Sequence, residues 1–241
     1  MQAVKSEDNF PSESGGTIQV LDNSKVCCAH SWEEAYMRFE TPEQEIEKFR
    51  RRLTQLGAEA WPKDSKIVEL FCGRGNGLHA LERLGFTCVE GADLSASLLN
   101  QYSGPADRYL CDCRRLPFDG NSKDVVIIQG GLHHLPMLPG DLDETLSEVR
   151  RVLKSRGRLV VVEPWRTPFL MFVHFLCNAR LARALSPKLD AFSGMRHYER
   201  WTYDQWLGQP VMILNLFRKH FTLDQCSRRL GKLMLIGRPK R

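Results

Sequence analysis

The sequence lacks the features that mark several classes of protein. No apolar run reaches the roughly 18 to 20 residues that a membrane-spanning helix needs. The first ten residues, MQAVKSEDNF, do not show the basic-then-apolar order of a secretory signal, and no internal repeat is visible. We therefore expect a globular protein without a membrane span, whose oligomeric state the sequence leaves open.

Cysteine is present but does not form a recognisable metal-binding or disulfide pattern. Among the eight cysteines, Cys27 and Cys28 are adjacent, Cys111 and Cys113 are close, and the other four are scattered. No pair of CxxC motifs occurs. In a chain without a secretory signal, reduced and mostly buried thiols are expected, which favours a cytoplasmic location and no metal site.

Positive charge is concentrated at the C-terminus. The formal net charge is +5, and Arg218 to Arg241 contains eight Lys or Arg against one acid, Asp224. A basic end can bind nucleic acid or anionic lipid, or can be a solvated hairpin and tail. Because no RNA motif studded with aromatic residues accompanies the charge, we expect the solvated hairpin and do not expect nucleic acid as a partner.

The chain divides into three parts by composition. Residues 1–26 are polar and aperiodic, so we expect them to be disordered. Residues 27–60 predict a helical arm or lid, in which Trp32, Tyr36 and Phe39 precede a capping box at Thr41-Pro-Glu-Gln44. Residues 61–241 form the main domain, with an insertion at about 164–217.

From Lys66 onward, apolar strands alternate with helices. Predicted strands lie at Ile67–Phe71, Thr87–Ala92, Tyr109–Cys111, Asp124–Gln129 and Arg158–Glu163, and a closing hairpin spans Phe221–Ile236. Almost wholly apolar strands separated by helices indicate a parallel sheet that is covered on both faces. The predicted fold is therefore α/β: a Rossmann-like, doubly wound sheet of seven strands, mostly parallel, with a C-terminal antiparallel hairpin.

A glycine-rich turn follows the first of these strands. Glu69-Leu-Phe-Cys-Gly73-Arg-Gly75-Asn-Gly77 lies where ligands bind in such sheets, at the carboxyl end of a strand and the start of a helix. Glycines there let the backbone approach a ligand closely. The negative charge of Glu69 does not suit a pyrophosphate but suits a cationic amino acid or sulfonium.

Acidic residues also end the next two strands. Asp93, 24 residues after Glu69, is placed to accept hydrogen bonds from both hydroxyl groups of a ribose. Asp112 is placed to accept from an adenine amino group, while Cys113 offers its backbone N–H to the ring. The order of glycine turn, ribose acid and adenine acid predicts a site for an adenosyl ligand.

These motifs resemble those of the class I S-adenosylmethionine (SAM)-dependent methyltransferases, and particularly the small-molecule branch that includes quinone- and sterol-type enzymes. Asp93-Leu-Ser95 is similar to the family's "DLS", Asp112 to Phe118 to its "DAxxLPF" stretch, and the end of the strand at Asp124 to its "LHHL". The resemblance covers Lys66 to Pro164, about two fifths of the chain. Phe71 departs from it, because the family has the first glycine of its motif there.

The resemblance implies SAM as cofactor and S-adenosylhomocysteine as product. It places the following residues at the cofactor: Glu69, Phe71, Cys72, Gly73, Gly75, Asn76, Asp93, Leu94, Asp112, Cys113 and Gln129. The methyl acceptor is expected to be an apolar or anionic small molecule. Its pocket is expected from the segments outside the motifs, namely the arm with Trp32, Tyr36 and Phe39 and the insertion.

His133 and His134 follow the fourth strand, where the family places the wall that faces the methyl group. In a catalytic role, one of them acts as a base or orients the acceptor. In a structural role, they cap the following short helix and bond its backbone. The sequence leaves both roles open.

Three alternatives are weighed against the small-molecule methyltransferase. Gly75 to Ala80 also fits the GxGxxG/A pattern of dinucleotide sites, but the glycines begin well past the end of the strand. A nucleic-acid or protein methyltransferase is suggested by the basic end, yet Gln129-Gly-Gly-Leu132 stands where amino-directed DNA and RNA enzymes carry Asn/Asp-Pro-Pro-aromatic. Phe71 leaves a non-catalytic SAM-binding protein open.

Overall fold

A nine-stranded mixed sheet forms the centre of the computed structural model, which describes residues 10–11, 16–21 and 30–240. The strands are β1 Phe10–Pro11, β2 Thr17–Val20, β3 Lys66–Leu70, β4 Cys88–Asp93, β5 Asp107–Leu110, β6 Lys123–Gln129, β7 Leu153–Pro164, β8 Phe221–Arg229 and β9 Lys232–Pro239. Their order in the sheet is β1-β2-β5-β4-β3-β6-β7-β9-β8. Strands β2 to β7 are mutually parallel, and β1, β8 and β9 pair antiparallel with their neighbours.

Helices cover the sheet and extend beyond it. They are α1 His30–Phe39, α2 Pro42–Gln55, α3 Asn76–Arg83, α4 Ala96–Leu99, α5 Gly140–Val152, α6 Pro168–Asn178, α7 Arg180–Leu185, α8 Pro187–Tyr198, α9 Arg200–Gly208 and α10 Pro210–His220, with 3₁₀ turns at Ala58–Ala60 and Leu132–His134. Among the described residues, no helix is both long and apolar enough to cross a membrane.

The apolar strands divide their side chains between two cores. Val68, Val126 and Val161 point into one fully buried cluster, whereas Ile67 and Ile127 point into the other. Because both faces of β3, β6 and β7 are covered, these strands are continuous apolar runs rather than alternating ones. The predicted doubly wound sheet with its C-terminal hairpin is confirmed.

The number of strands differs from the seven expected. The two additional strands, β1 and β2, lie in the segment that we expected to be disordered. Ile18 is buried beside β5, and the backbone N–H and hydroxyl group of Thr17 donate to Asp107 at 3.2 and 3.0 Å. The fully buried guanidinium group of Arg108 donates to the carbonyl of Gly16 at 2.8 Å. The strand Thr17–Val20 and the residue before it are thus held by residues 90 and 92 positions away in the sequence.

The arm begins as its sequence predicts. Thr41 caps α2: its hydroxyl group accepts from the N–H of Gln44, and the Gln44 side chain accepts from the N–H of Thr41, both at 3.3 Å. Pro42 occupies the first turn. The stripe of Ile46, Phe49 and Leu53 is buried, so α2 packs over α3 and brings the arm to the glycine turn.

Candidate active site

The glycine turn leaves β3 in an unusual backbone conformation. Phe71, Gly73 and Gly75 all have positive φ angles, of 57°, 53° and 77°. Phe71 therefore adopts the conformation for which the family uses glycine, at a cost in strain. Its ring packs on Gly131, where a Cβ atom would collide with it. Phe71 is thus accommodated because the residue it packs on after β6 is Gly131, which has no side chain to collide with the ring.

Glu69 is buried at the centre of this turn. Its Oε1 atom accepts from the Gln129 side chain at 3.3 Å. Among the described residues, its buried Oε2 atom and the buried Oε1 atom of Gln129 have no hydrogen-bond partner. Burial raises the pKa of Glu69 to about 8, and the charges of Glu45 and Asp93 add to this effect. Two unsatisfied buried acceptors at one point indicate a site for a donor ligand.

Asp93 ends β4 and shapes the same turn. Its carboxylate accepts from the backbone N–H of Gly73 and from that of Ser95, both at 2.8 Å. These two bonds fix the carboxylate at the tip of the strand, beside the glycine turn.

Six of the eleven residues predicted at the cofactor line one cleft of about 90 Å³: Glu69, Phe71, Cys72, Gly73, Asp93 and Gln129. Gly75, Asn76, Leu94, Asp112 and Cys113 do not line it. The Asp112 carboxylate instead accepts from Arg114 at 2.6 Å, and the Cys113 thiol lies 3.5 Å from the hydroxyl group of Thr145. The structure therefore brings the glycine turn and the ribose acid together, but not the adenine acid.

Glu45 is a residue of the cleft that the sequence analysis missed. Its carboxylate accepts from Tyr36 and Asn76 at 2.7 Å and from Arg74 at 3.1 Å. Burial raises the pKa of the Tyr36 phenol, and Glu45 adds to this effect. This buried cluster joins the arm to the glycine turn and explains where Asn76 lies. Nothing in the sequence distinguished Glu45 from the other acids of α2.

A larger cavity of about 470 Å³ adjoins the cleft. The cleft and the cavity share six lining residues: Tyr36, Glu45, Phe49, Gln129, Gly130 and His134. The arm and the insertion contribute much of the cavity wall, including Phe39, and the ends of β6 and β7 and the C-terminal hairpin contribute the rest. Its apolar lining includes Phe169, Leu170, Val173, Leu189, Phe192 and Met195. Trp32 lies in α1, but its side chain is outside the described part of the structure.

His133 is held at the wall of this cavity by a buried acid. Glu163, 1% exposed at the end of β7, accepts from the Nδ1 atom of His133 at 2.7 Å and from the N–H groups of Gly131 and Leu132 at 2.8 Å. Burial lowers the pKa of His133, but the charge and hydrogen bond of Glu163, together with Glu199, outweigh burial and raise it. Glu163, which the sequence analysis missed, thus caps the 3₁₀ turn and orients the imidazole.

His134 lies on the wall that both cavities share. Its Nδ1 atom is 3.1 Å from Glu199, and the centre of its ring lies 4.2 Å from that of His133, with the two rings tilted by 33°. Burial and the neighbouring His133 lower its pKa well below the usual value. One ligand atom from each of His133, His134 and Glu199 lies within 4.8 Å of the others, a spacing that one metal ion could bridge. The shortest contacts of the two imidazoles with acids are His133 with Glu163 at 2.7 Å and His134 with Glu199 at 3.1 Å.

The sequence of this site matches a known family. Residues 68–161 match the family model described as a methyltransferase domain. Residues 68–161 form a methyltransferase domain. This methyltransferase domain contains the glycine turn, Asp93 and both histidines, and the cofactor of the family is SAM.

Relatives of similar sequence agree with this assignment. A demethylmenaquinone methyltransferase of Mycobacterium marinum is 31% identical over 157 residues, which cover 61% of this chain and 64% of the relative. The demethylmenaquinone methyltransferase of Thermotoga maritima is 28% identical over 120 residues, which cover 48% of this chain and 50% of the relative. The chain thus spans half to just under two thirds of the length of these relatives.

The solved structures share the fold at low sequence identity. A Pyrococcus horikoshii protein superposes with a TM-score of 0.66 at 18% identity, covering 88% of this chain and all of that one. Magnesium protoporphyrin IX methyltransferase of Synechocystis, solved with bound S-adenosylhomocysteine, superposes with a TM-score of 0.55 at 15% identity. The superposition covers 87% of this chain and 93% of that one. The methyltransferase domain therefore has relatives with the same architecture.

Proposed function

We propose that this chain is an SAM-dependent methyltransferase that methylates a small molecule held in the 470 Å³ cavity. One observation carries the proposal: the cleft at the glycine turn and the apolar cavity meet at Gln129, Gly130 and His134. Two ligands bound on either side of a shared wall are held close together, which is the main requirement for a group transfer.

The residues of the cleft fit the cofactor. SAM supplies an electrophilic methyl carbon on a sulfonium centre. The unsatisfied oxygens of Glu69 and Gln129 would accept hydrogen bonds from its ammonium group. Asp93 would accept from the ribose, since a carboxylate can take more than the two backbone bonds it makes here. The contact of Asp112 with the adenine amino group stays a prediction. For Asp112 to accept from that group, its hydrogen bond with Arg114 would have to break.

His133 is the residue that we propose to take a proton from the acceptor. Glu163 accepts at Nδ1, so the neutral imidazole carries its proton on that atom and presents Nε2 as a base. When Nε2 gains a proton, the Glu163 carboxylate stabilises the resulting cation. His134, whose pKa is lowered, stays neutral and lies between the two ligands. A base of this kind raises the rate about 10²- to 10⁴-fold if the acceptor starts protonated.

The acceptor that fits this cavity is a small apolar molecule. Phenylalanine, leucine and methionine side chains line it, and its volume is within the usual range of small-molecule sites. The relatives are named for demethylmenaquinone, which supports an acceptor that carries a ring. This cavity disfavours a nucleic acid or a protein as the acceptor, because only a single base or side chain would fit.

A cytoplasmic location is part of the proposal. The six described cysteines, Cys72, Cys88, Cys111, Cys113, Cys177 and Cys226, are free thiols, and four of them are buried. This supports the expectation of reduced cysteines. Cys27 and Cys28 lie outside the described residues.

Calorimetric titration with S-adenosylhomocysteine tests the cofactor site. We expect micromolar binding and a loss of about 10- to 100-fold in Asp93→Ala, as when a charge-assisted hydrogen bond is removed. Asp119→Ala, an exposed acid outside the cleft, is the matched control. No measurable binding to the wild-type protein would remove the proposal.

Radiolabelled SAM tests the transfer itself. Incubation with a cell extract, followed by separation of small molecules, RNA and protein, should place the label in the small-molecule fraction. Label that appears only in RNA or protein would favour the nucleic-acid or protein alternative. Cofactor binding without label in any fraction would favour a non-catalytic SAM-binding protein.

A further inference from the structure

The acceptor cavity is lined by four basic side chains that its proposed chemistry does not use. Lys48 and Arg52 come from α2, Lys188 from α8, and Lys232 from the first residue of β9. These elements are far apart in the sequence, and the fold gathers their cations at one cavity. A cavity that served only an apolar acceptor would have no use for them.

Each acidic residue that lines the cavity already has a cationic or imidazole partner. Glu40 pairs with Lys48 and lies 3.6 Å from Lys188. Glu45 pairs with Arg74 at 3.1 Å. The remaining two, Glu163 and Glu199, contact His133 and His134. The acids of the cavity therefore do not neutralise all of its bases.

Arg52 and Lys232 are the cations left over. Within the described part of the chain, neither forms a salt bridge or a side-chain hydrogen bond, although both are partly buried. The Arg52 guanidinium lies 5.5 Å from the centre of the Phe49 ring. Burial lowers the pKa of Lys232 to about 7, and repulsion by Arg52 and Lys48 adds to this effect. Burial also lowers the pKa of Arg52 to about 10, and the charges of Glu40 and Glu45 oppose this effect only in part.

We propose that Arg52 and Lys232 form an anion subsite, so that the methyl acceptor is an amphipathic organic acid whose oxyanion group binds there. Its apolar body lies against the phenylalanine and leucine side chains of the cavity, and its reacting atom faces His133. An arginine fork with a neighbouring ammonium matches the two oxygens of a carboxylate. This inference rests on the proposed function and adds the substrate class to it.

The subsite should bind anions more weakly as pH rises through about 7, where the ligand-free Lys232 loses its proton. The charged groups that face Lys232 are Arg52 and Lys48 of α2 and Glu40 before that helix; Lys188 of α8 pairs with the same Glu40. The carboxylate of Glu40 has a lowered pKa, because its bond to Lys48 and the neighbouring basic groups outweigh burial, so it stays ionised from pH 6 to 9. Lys232 therefore titrates in this window while Glu40 stays ionised.

A pair of fluorescent probes tests the subsite. 8-Anilinonaphthalene-1-sulfonate carries a sulfonate that is ionised throughout this pH range, whereas N-phenyl-1-naphthylamine has nearly the same apolar body without it. At pH 6 we expect the sulfonate to bind the wild-type protein about tenfold more tightly than the neutral probe, as for one charge-assisted contact. Lys232→Met and Arg52→Met should remove this preference while leaving the neutral probe unaffected.

Two controls separate the cavity from the rest of the surface. Arg180→Met removes an exposed cation of α7, and Phe172→Ser removes an exposed aromatic side chain of α6, 58% exposed. Neither lines the cavity, so neither should change the preference for the sulfonate. In Lys232→Met, the pH dependence of sulfonate binding should also disappear.

The outcomes distinguish this proposal from the function on which it rests. Equal affinity for the two probes in the wild-type protein, or an unchanged preference in Lys232→Met, would overturn the anion subsite. Titration with S-adenosylhomocysteine and circular dichroism check that each variant is folded. If the probes discriminate but S-adenosylhomocysteine does not bind, the methyltransferase proposal fails and the subsite stands.

Discussion

At the scale of single residues, Glu69 is the clearest sign of a ligand-binding site. A carboxylate that is 3% exposed and has one oxygen without a partner is costly to ionise, which is why its pKa rises to about 8. At neutral pH it is therefore mostly protonated in the chain alone. A bound ammonium group would reverse this, because an adjacent positive charge favours the ionised carboxyl.

Ligand binding at Glu69 should release a proton. We expect S-adenosylhomocysteine to displace close to one proton at pH 7 from the wild-type protein and none from Glu69→Gln. Affinity should fall about 10- to 100-fold in this variant, the usual effect of losing a charged hydrogen bond. Calorimetry in buffers of different ionisation enthalpy measures both quantities. The exposed Glu59→Gln is the matched control, and equal proton release in Glu69→Gln would contradict the assignment.

The same pKa determines how stability depends on pH. The folded chain holds the proton of Glu69 between the ordinary pKa of 4.5 and about 8, whereas the unfolded chain releases it. This residue therefore makes the free energy of unfolding fall as pH rises through that window. Glu69→Gln should be more stable than the wild type at pH 8 and similar to it at pH 4. Urea denaturation at both pH values measures this, and a variant less stable at pH 8 would be the contrary result.

Phe71 shows how a departure from a motif can be accommodated. Its positive φ of 57° costs of order 1 to 2 kcal/mol for a residue other than glycine. The ring is partly buried against the core that contains Val68 and Leu70, which offsets part of this cost. It fits because Gly131, whose φ of −129° any residue could adopt, leaves room for it.

A double-mutant cycle tests this pairing. Gly131→Ala should lower the free energy of unfolding by about 1 to 3 kcal/mol, because its Cβ collides with the Phe71 ring. In a Phe71→Gly background the same change should cost little, which gives a coupling energy of similar size. Chemical denaturation of the four proteins measures it. Additive effects would show that the two positions do not interact.

At the scale of secondary structure, β2 depends on partners rather than on its own sequence. Thr17–Val20 is short, and its neighbour β1 has two residues. The position of β2 is fixed by Arg108, which donates to the carbonyl of Leu99 at 2.7 Å and to that of Gly16 at 2.8 Å. Gly16 approaches the backbone of Ala106 so closely that a Cβ would collide with its carbonyl oxygen.

Gly16→Ala should therefore detach β2 from β5. The colliding atom belongs to the backbone and cannot rotate away, so the strand has to move. Hydrogen exchange read by mass spectrometry should become faster in residues 17–20 and 107–110 and stay unchanged in β3 and β6. Protection that is unchanged in residues 17–20 would be the result against this account. Gly208→Ala in α9, where an added Cβ has open space around it, serves as control.

The elements that the sequence predicts are those whose periodicity is local. Val125 to Ile128 and Val160 to Val162 are apolar runs of strand length, and they are strands. β2 could not be predicted in this way, because four residues are too few to show a periodic pattern. The burial of Arg108, which fixes the strand, depends on the tertiary structure and is not visible in the local sequence. The same holds for Glu163, whose three bonds to residues 131–133 join strand ends that only the folded sheet brings together.

At the scale of the whole molecule, the two halves of the site have different origins. The glycine turn and Asp93 belong to one continuous stretch of the sequence, so the cofactor motif could be recognised from their spacing. The acceptor cavity instead forms where α1 and α2 meet the insertion, about 150 residues later in the chain. Phe39 at the end of α1 lies 6.0 Å from Phe192 of α8, measured between ring centres. No pattern in the sequence pairs these two residues.

This contact predicts that the cavity can open without unfolding of the sheet. The ammonium groups of Lys48 and Lys188 each lie 6.0 Å from the centre of the Phe39 ring, so Phe39→Ala removes an aromatic and two cation contacts at once. Hydrogen exchange should accelerate in residues 30–39 and 187–198, while β3 to β7 keep their protection, as expected for a separate unit of local stability. Met37→Ala, an exposed position on the same helix, should change neither. If protection fell equally in β3 to β7, the arm and the sheet would unfold as one unit, and an acceptor would have to enter by another route.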